Sequence, residues 1–214
     1  MKKIMIIGMV SLLTINNANA LEVRPFIGGN LAINGVVWDV TLRSGLKEDI
    51  GVLPAIFAGA GIEGGVRFAT DNIYNAGVTL AGDYLLESEV DLNDDMEDYI
   101  NSLDTSFAIA SVTFDNYLRV SGTKEHRRDI VLGFGVANIT EWIHLDPTRY
   151  GENAGLEEER EHDNGSAIVL KIGYNHQIVK KLDWYVNGRA FIATSKESDF
   201  DAMFNASVGL RFVF

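Results

Sequence analysis

The sequence predicts an all-β protein, a single eight-stranded antiparallel up-and-down transmembrane β-barrel. Three observations carry that expectation. Residues 201–214 alternate between apolar and polar and end the chain on Phe214. Seven earlier segments show the same period of two, the mark of a strand with two unlike faces. The connections between segments alternate long and short, as in a barrel with short turns at one rim and long loops at the other.

The expected strands are 22–33, 57–69, 73–86, 105–120, 129–142, 166–178, 181–195 and 201–214. The first opens on Arg24-Pro25-Phe26-Ile27-Gly28-Gly29. In the second, Ala58, Ala60, Ile62, Gly64, Val66 and Phe68 oppose Gly59, Gly61, Glu63, Gly65 and Arg67. In the third, Tyr74, Ala76, Val78, Leu80, Tyr84 and Leu86 oppose Asn75, Gly77, Thr79 and Asp83. The fourth and fifth alternate less cleanly. Phe107 and Ile109 fall on the polar face if Val112 and Phe114 face lipid. The sixth sets Lys171 and Gly173 against Tyr174. In the seventh, Leu182, Trp184, Val186, Ala190 and Ile192 oppose Asp183, Tyr185, Asn187 and Arg189. The eighth has Ala202, Phe204, Ala206, Val208, Leu210, Phe212 and Phe214 on its apolar side.

Between these strands the outer loops are expected at 34–56, 87–104, 143–165 and 196–200, with short turns such as Thr70-Asp71-Asn72 at the periplasmic rim. Alternation alone does not say which face points inward. A soluble lipocalin-like barrel would bury its apolar face. Three features favour the reverse. The chain ends on Phe. Glycines lie on the polar face (Gly28, Gly59, Gly61, Gly65, Gly77, Gly133, Gly135, Gly173, Gly209), as a narrow lumen requires. Aromatic residues sit near strand ends on the apolar face: Phe68, Tyr74, Tyr84, Trp142, Tyr174, Trp184 and Phe212. These resemble girdles at the lipid–water interfaces.

The N-terminus reads as a secretory signal. Lys2 and Lys3 precede an apolar run, Ile4 to Leu13, too short for the roughly 20 residues of a membrane helix. Ala18-Asn19-Ala20 then supplies small residues for cleavage. Residues 1–20 are the expected signal peptide and 21–214 the barrel domain. Loss of Lys2 and Lys3 moves the formal net charge from −12 to −14, which argues against nucleic acid as a partner. There are no cysteines, so no disulfide staples the fold. No nucleotide fingerprint is present, and no cofactor is expected.

The opening segment 24–29 and the end, Val208-Gly209-Leu210-Arg211-Phe212-Val213-Phe214, resemble the first and last strands of the opacity-protein/OmpA-like outer-membrane β-barrel superfamily. The resemblance implies the outer membrane, with lipid and lipopolysaccharide as surroundings and a monomeric state. It also implies that Leu210, Phe212 and Phe214 form the signal read by the barrel-assembly machinery. Members of that superfamily include adhesins and structural anchors, so architecture alone leaves the function open.

Three sites follow as candidates. The first is a lumen charge network of Arg24, Glu63, Arg67, Asp83, Asp115, Lys171, Arg189 and Arg211, with Glu141 and Asp183 in reserve. Facing lipid, each lysine or arginine would cost about 2–4 kcal/mol at the midplane. Inside, the charges pair as a plug, or they line a narrow ion path. The second is the acidic outer loops. Residues 87–104 and 143–165 together hold fifteen of the thirty acidic residues and could bind divalent cations. Asp91-x-Asn93-x-Asp95 partly fits a calcium loop, but Met96 and Ser102 break the pattern. Met96, Tyr99, Ile100 and Leu103 also show helical spacing, with Asn93 as a cap. The third is a lipid-modifying enzyme site drawn from His126, His144, His162, His176 and Ser166. The favoured expectation is a non-enzymatic surface protein acting through its loops, with a channel and a lipid A-modifying enzyme as alternatives.

Overall fold

A computed structural model describes residues 22–41, 49–69, 73–89, 98–122, 126–153, 158–194 and 200–214. The expected signal peptide, Met96 and the calcium-like Asp91, Asn93 and Asp95 lie outside them. The strands are β1 (Glu22–Thr41), β2 (Asp49–Ala69), β3 (Tyr74–Glu89), β4 (Ile100–Ser121), β5 (Arg128–Pro147), β6 (Glu159–Val179), β7 (Leu182–Ala193) and β8 (Phe200–Val213). A short helix, α1 (Arg149–Asn153), follows β5. All eight expected strands are present. Each is antiparallel to its neighbours, and β8 pairs with β1 to close the ring.

The register fixes the strand tilt. A path through directly paired residues runs Phe212, Ile27, Gly64, Leu80, Val112, Val136, Ile168, Ile192, Ala202. It returns to β8 ten residues from its start, 212 against 202. A stagger of that size tilts the strands by roughly 40° and leaves an interior just wide enough for side chains.

Every residue on that path is apolar or glycine and faces outward. Leu31, Ile62, Leu80, Leu132, Val136, Ile172, Phe204 and Leu210 are exposed, whereas Glu63, Asp83, Asp115, Lys171, Arg189 and Arg211 are buried. The inverted orientation therefore holds. The glycines of the polar face meet the interior at close range. A Cβ on Gly65 would overlap the Val78 carbonyl and the Phe26 ring, and one on Gly135 would overlap the Val112 carbonyl.

Six of the strands, β1 to β6, are longer than expected, while β7 is shorter and β8 has the expected length. Crossing the hydrocarbon takes about 9–11 residues, yet β1, β2, β4, β5 and β6 have 20 to 22. Residues 34–41 and 49–56, expected as loop, continue the β1–β2 ladder from Asn34↔Phe57 to Thr41↔Asp49. The sheet thus stands well above the membrane on these sides. It is low at β7 and β8, which have 12 and 14 residues.

The expected helix near residue 100 is instead the start of β4. Its ladder to β5 shifts register between Ile100 and Ser102. The bulge adds one residue, so Ile100 and Leu103 both turn inward and are buried. A spacing of three that suggested a helix is the spacing of this bulge.

A paired substitution tests the inner-face glycines. Gly65→Val should abolish the fast-migrating folded band on unheated gels, since overpacking costs about 1–3 kcal/mol or more. Gly82→Val, on the lipid side with nothing within 4 Å of its Cβ position, should migrate as wild type.

Candidate functional site

The lumen is filled in two layers. The periplasmic half is polar. Arg211 donates to Glu63 from Nε at 2.8 Å and lies within 2.6 Å through Nη2. Its guanidinium sits between the rings of Phe26 and Tyr185, 4.2 and 4.7 Å from their centroids. Lys171 Nζ reaches Asp115 Oδ2 at 2.8 Å, and Thr79 donates to the same oxygen at 2.7 Å. Arg189 grips Asp83 with two parallel bonds of 2.8 Å, the strong planar form of this pair. Arg189 also donates to Asn205 Oδ1, whose Nδ2 donates to Asn34 at 2.6 Å. Nearer the rim, Arg67 pairs with Asp129 and lies over the Tyr117 ring at 4.3 Å.

One step further out on each strand, the inward residues become apolar. Asn34 gives way to Val36, Asp83 to Leu85, Ser111 to Ile109, Lys171 to Val169, Arg189 to Phe191 and Asn205 to Met203. These join Phe57, Phe107, Ile139, Leu103 and Leu145 in one buried cluster. Phe57 and Phe107 meet edge to face with ring centroids 5.2 Å apart. The polar lumen expected throughout is thus interrupted by an apolar layer in its outer half. Phe107 and Ile109 are not exceptions to the pattern but members of this outer layer. Glu141, held in reserve for the charge network, lies in the outer layer instead, opposite Asp163 on β6.

Within the polar layer the free space is small. A cavity of about 10 Å³ is bounded by Asn30, Glu63, Thr113, Lys171, Arg189 and Ser207. Asn30 Oδ1, Thr113 Oγ1 and Ser207 Oγ are buried with no hydrogen-bond partner among the described residues. The size and lining suit about one ordered water molecule.

No family model and no curated protein matches the chain. Solved structures do. Ail, the attachment invasion locus protein of Yersinia pestis, in complex with the heparin analogue sucrose octasulfate, has a TM-score of 0.53 at 13% identity. The match covers 90% of this chain and 99% of that one. The outer membrane protein OprG from Pseudomonas aeruginosa gives 0.53 at 12%, covering 89% and 95%. Neisserial surface protein A gives 0.50 at 10%, covering 89% and 97%. The fold is that of a small outer-membrane β-barrel.

The outer wall of this outer-membrane barrel carries the two expected girdles. Tyr174 and Trp184 pack 5.6 Å apart near the periplasmic rim, and Tyr84 and Trp142 pack 6.5 Å apart near the outer one. On β5 and β6 the wall turns polar level with this outer girdle. Thr140 donates to Asn164 at 2.7 Å, and Asn138, Ser166 and Thr194 are exposed beside them.

Of the eight expected network residues, seven are buried inside the barrel and charge-paired. Arg24 stands apart at the periplasmic rim, where it binds the exposed Glu22 at 2.6 Å. Asp183 accepts from Asn175 at 3.0 Å. Sequence reasoning missed Asp129, Arg127 and Tyr117, while Tyr185 stands on the face of Arg189 where its parity put it. Parity would have found two of the three: Asp129 shares a face with Gly133, and Tyr117 with Asp115. Arg127 precedes β5 and has no parity to read.

The histidines do not converge. His162 and Ser166 are four residues apart on β6 and both face outward. At about 3.3 Å of rise per residue they are too far apart to share a hydrogen bond. His144 instead lies 3.3 Å from Glu158 on the outer rim.

Cutting one partner from the Asp83–Arg189 pair leaves a buried charge uncompensated, at a cost of about 3–5 kcal/mol. Asp83→Ala should lower the urea midpoint followed by tryptophan fluorescence accordingly. Asp83→Leu combined with Arg189→Met should recover most of the loss.

Proposed function

We propose that this protein is a non-enzymatic surface protein of the outer membrane that engages a cationic partner with its outward end. The observation that carries the reading is the doubly filled lumen. An ion-paired layer and an apolar layer lie in series, and neither leaves a solute path. The remaining chemistry lies at the outer rim.

That rim is built rather than loose. Thr148 Oγ1 donates to the Asp98 carbonyl at 2.6 Å and accepts from Gly151 N at 3.1 Å, capping α1. Thr148 N donates to the Tyr99 carbonyl at 2.9 Å. Tyr99 and Tyr150 pack 5.0 Å apart, and Tyr150 is 60% exposed. Asp98, Glu152 and Glu158 are exposed around them, with Arg149 and Arg160 as the basic residues. Negative charge of this kind attracts basic segments and divalent cations. The polyanion bound by Ail would meet repulsion here.

Barrel in zwitterionic liposomes should bind fluorescent polylysine in a salt-dependent manner. The triple charge reversal of Asp98, Glu152 and Glu158 to lysine should weaken binding about tenfold. Binding of sucrose octasulfate by the wild type would overturn the reading. In planar bilayers the barrel should give no steady conductance steps. Such steps, lost in Arg67→Gln, would establish the channel alternative instead.

The protein acts as a monomer surrounded by lipid and lipopolysaccharide. The exposed Leu210, Phe212 and Phe214 of the last strand serve the assembly machinery. Phe214→Ser should cut the folded barrel recovered from outer membranes several-fold while leaving refolding in detergent unchanged.

A further inference from the structure

On the lipid-facing wall of β2 to β5, two adjacent rows of outward residues are small where their neighbours are large. Ile62, Gly82, Ala110 and Asn138 stand in register in one row, and Ala60, Tyr84, Ala108 and Thr140 in the next. Leu80, Val112 and Val136 form the row below and are exposed. Nothing lies within 4 Å of the Cβ position of Gly82. The result is a depression of about 480 Å³, a size within the roughly 300–1,000 Å³ of ligand sites. Asp83 and Ile109 contribute only backbone to it. The Asp83 side chain grips Arg189 inside the barrel, and Ile109 belongs to the apolar layer.

The depression slopes and changes character along its length. Rows of paired residues climb outward from β1 to β8, because the row that leaves β8 at Phe212, near its periplasmic end, returns at Ala202, near its outer end. The β2 end therefore lies deeper in the membrane than the β5 end. The deeper end, at Ala60, Ile62, Gly82 and Ala110, is apolar. The higher end is polar, with Asn138 and Thr140 beside Asn164 of β6. Tyr84, which packs on Trp142, borders it. Thr140 donates to Asn164 Oδ1 at 2.7 Å, and Asn138 Nδ2 donates to the Gly165 carbonyl at 3.4 Å. Both asparagines are exposed, and the Asn164 Nδ2 donors and the Asn138 Oδ1 acceptor are left for a further partner. Among the described residues that line the depression, the one charged member, Asp83, points inward. A phosphate would call for arginine or lysine here.

We propose that this sloping groove binds a glycolipid of the outer leaflet, with one acyl chain along Gly82 and Ala110 and the hydroxyl and amide groups of its acylated sugar at Asn138, Thr140 and Asn164. The groove is continuous with the wall that faces hydrocarbon, so its occupant comes from the leaflet and not from water. The polar end both donates and accepts, which suits sugar hydroxyls and amides; the ester carbonyls of a phospholipid only accept. A second depression, of about 540 Å³, lies over β6 to β8. Its polar lining residues, Lys171, Arg189 and Asn205, are buried in the lumen, so its outward lining is apolar throughout. It has room for a chain and nothing to select a headgroup.

Native mass spectrometry of the whole mature barrel, released from detergent after incubation with lipid, tests this. Monophosphoryl lipid A should be retained as a single bound molecule at about tenfold lower concentration than phosphatidylethanolamine requires. Gly82→Leu, and separately Asn138→Leu combined with Thr140→Val, should each weaken that retention about tenfold. Gly188→Leu, in the second depression, should leave it unchanged. If Gly82→Leu does not give the fast-migrating folded band, Ala110→Leu takes its place. Equal retention of the two lipids, a preference for phosphatidylglycerol, undiminished retention in either groove variant, or the same loss in Gly188→Leu would overturn the proposal.

Discussion

Everything in this barrel follows from the width of its lumen. Eight strands with a stagger of ten leave room for one set of side chains and no bulk water. A charge placed there cannot be solvated, so its partner must come from across the barrel. Glu63 and Arg211 are 148 residues apart in the chain, and Asp83 and Arg189 are 106 apart. These pairs bridge strands that share no ladder. They join β2 to β8 and β3 to β7, bracing the wall from within. The backbone ladder closes the ring, and the ion pairs fix its cross-section.

The same width makes the interior a matter of volume. Where arginine and tyrosine fill space, glycine must stand beside them: Gly65 under Phe26, Gly77 beside Tyr117, Gly209 beside Tyr185. The stacking of Arg211 between two rings is part of this packing. Such contacts add about 0.5–2 kcal/mol each, but their larger effect is to leave no path. A solute entering from the periplasm meets paired charges, and one entering from outside meets Phe57, Phe107 and Phe191.

Strand number, closure and orientation were legible because they depend on period, parity and connection length. The inward charges were legible for the same reason. Their pairing was not, because parity says which way a residue points and not what stands opposite it across the lumen. Strand ends were not legible either. At the outer ends of β1 and β2 the inward Val36 is flanked by outward Ile56 and Phe204, so both faces are apolar and period two gives no signal of where the strand stops. At Ile100 and Leu103 a bulge reproduced a helical spacing, and a single sequence has no signal that separates the two.

The imperfect alternation of β4 to β6 has one physical cause. Along β5 the outward residues run Ile130, Leu132, Phe134, Val136 and then Asn138, Thr140, while the inward ones run Asp129, Val131, Gly133, Gly135 and then Ala137, Ile139. Both faces change character at the same height. On β6 the outward Ile172, Leu170 and Ile168 give way to Ser166 and Asn164 as the inward Lys171 gives way to Val169 and Ala167. Below this height the barrel is built for lipid, with apolar side chains outside and charge inside. Above it, on β5 and β6, the order is that of a water-soluble barrel, with its own apolar core. The inversion marks where the solvent changes from hydrocarbon to water. The walls of β5 and β6 that continue beyond it are therefore solvated surface supported by a packed interior. The outer rim at Tyr99, Thr148 and Tyr150 rests on that second core, which gives it the fixed shape that a bare loop above a membrane barrel would lack, the preorganisation that the proposed binding role needs.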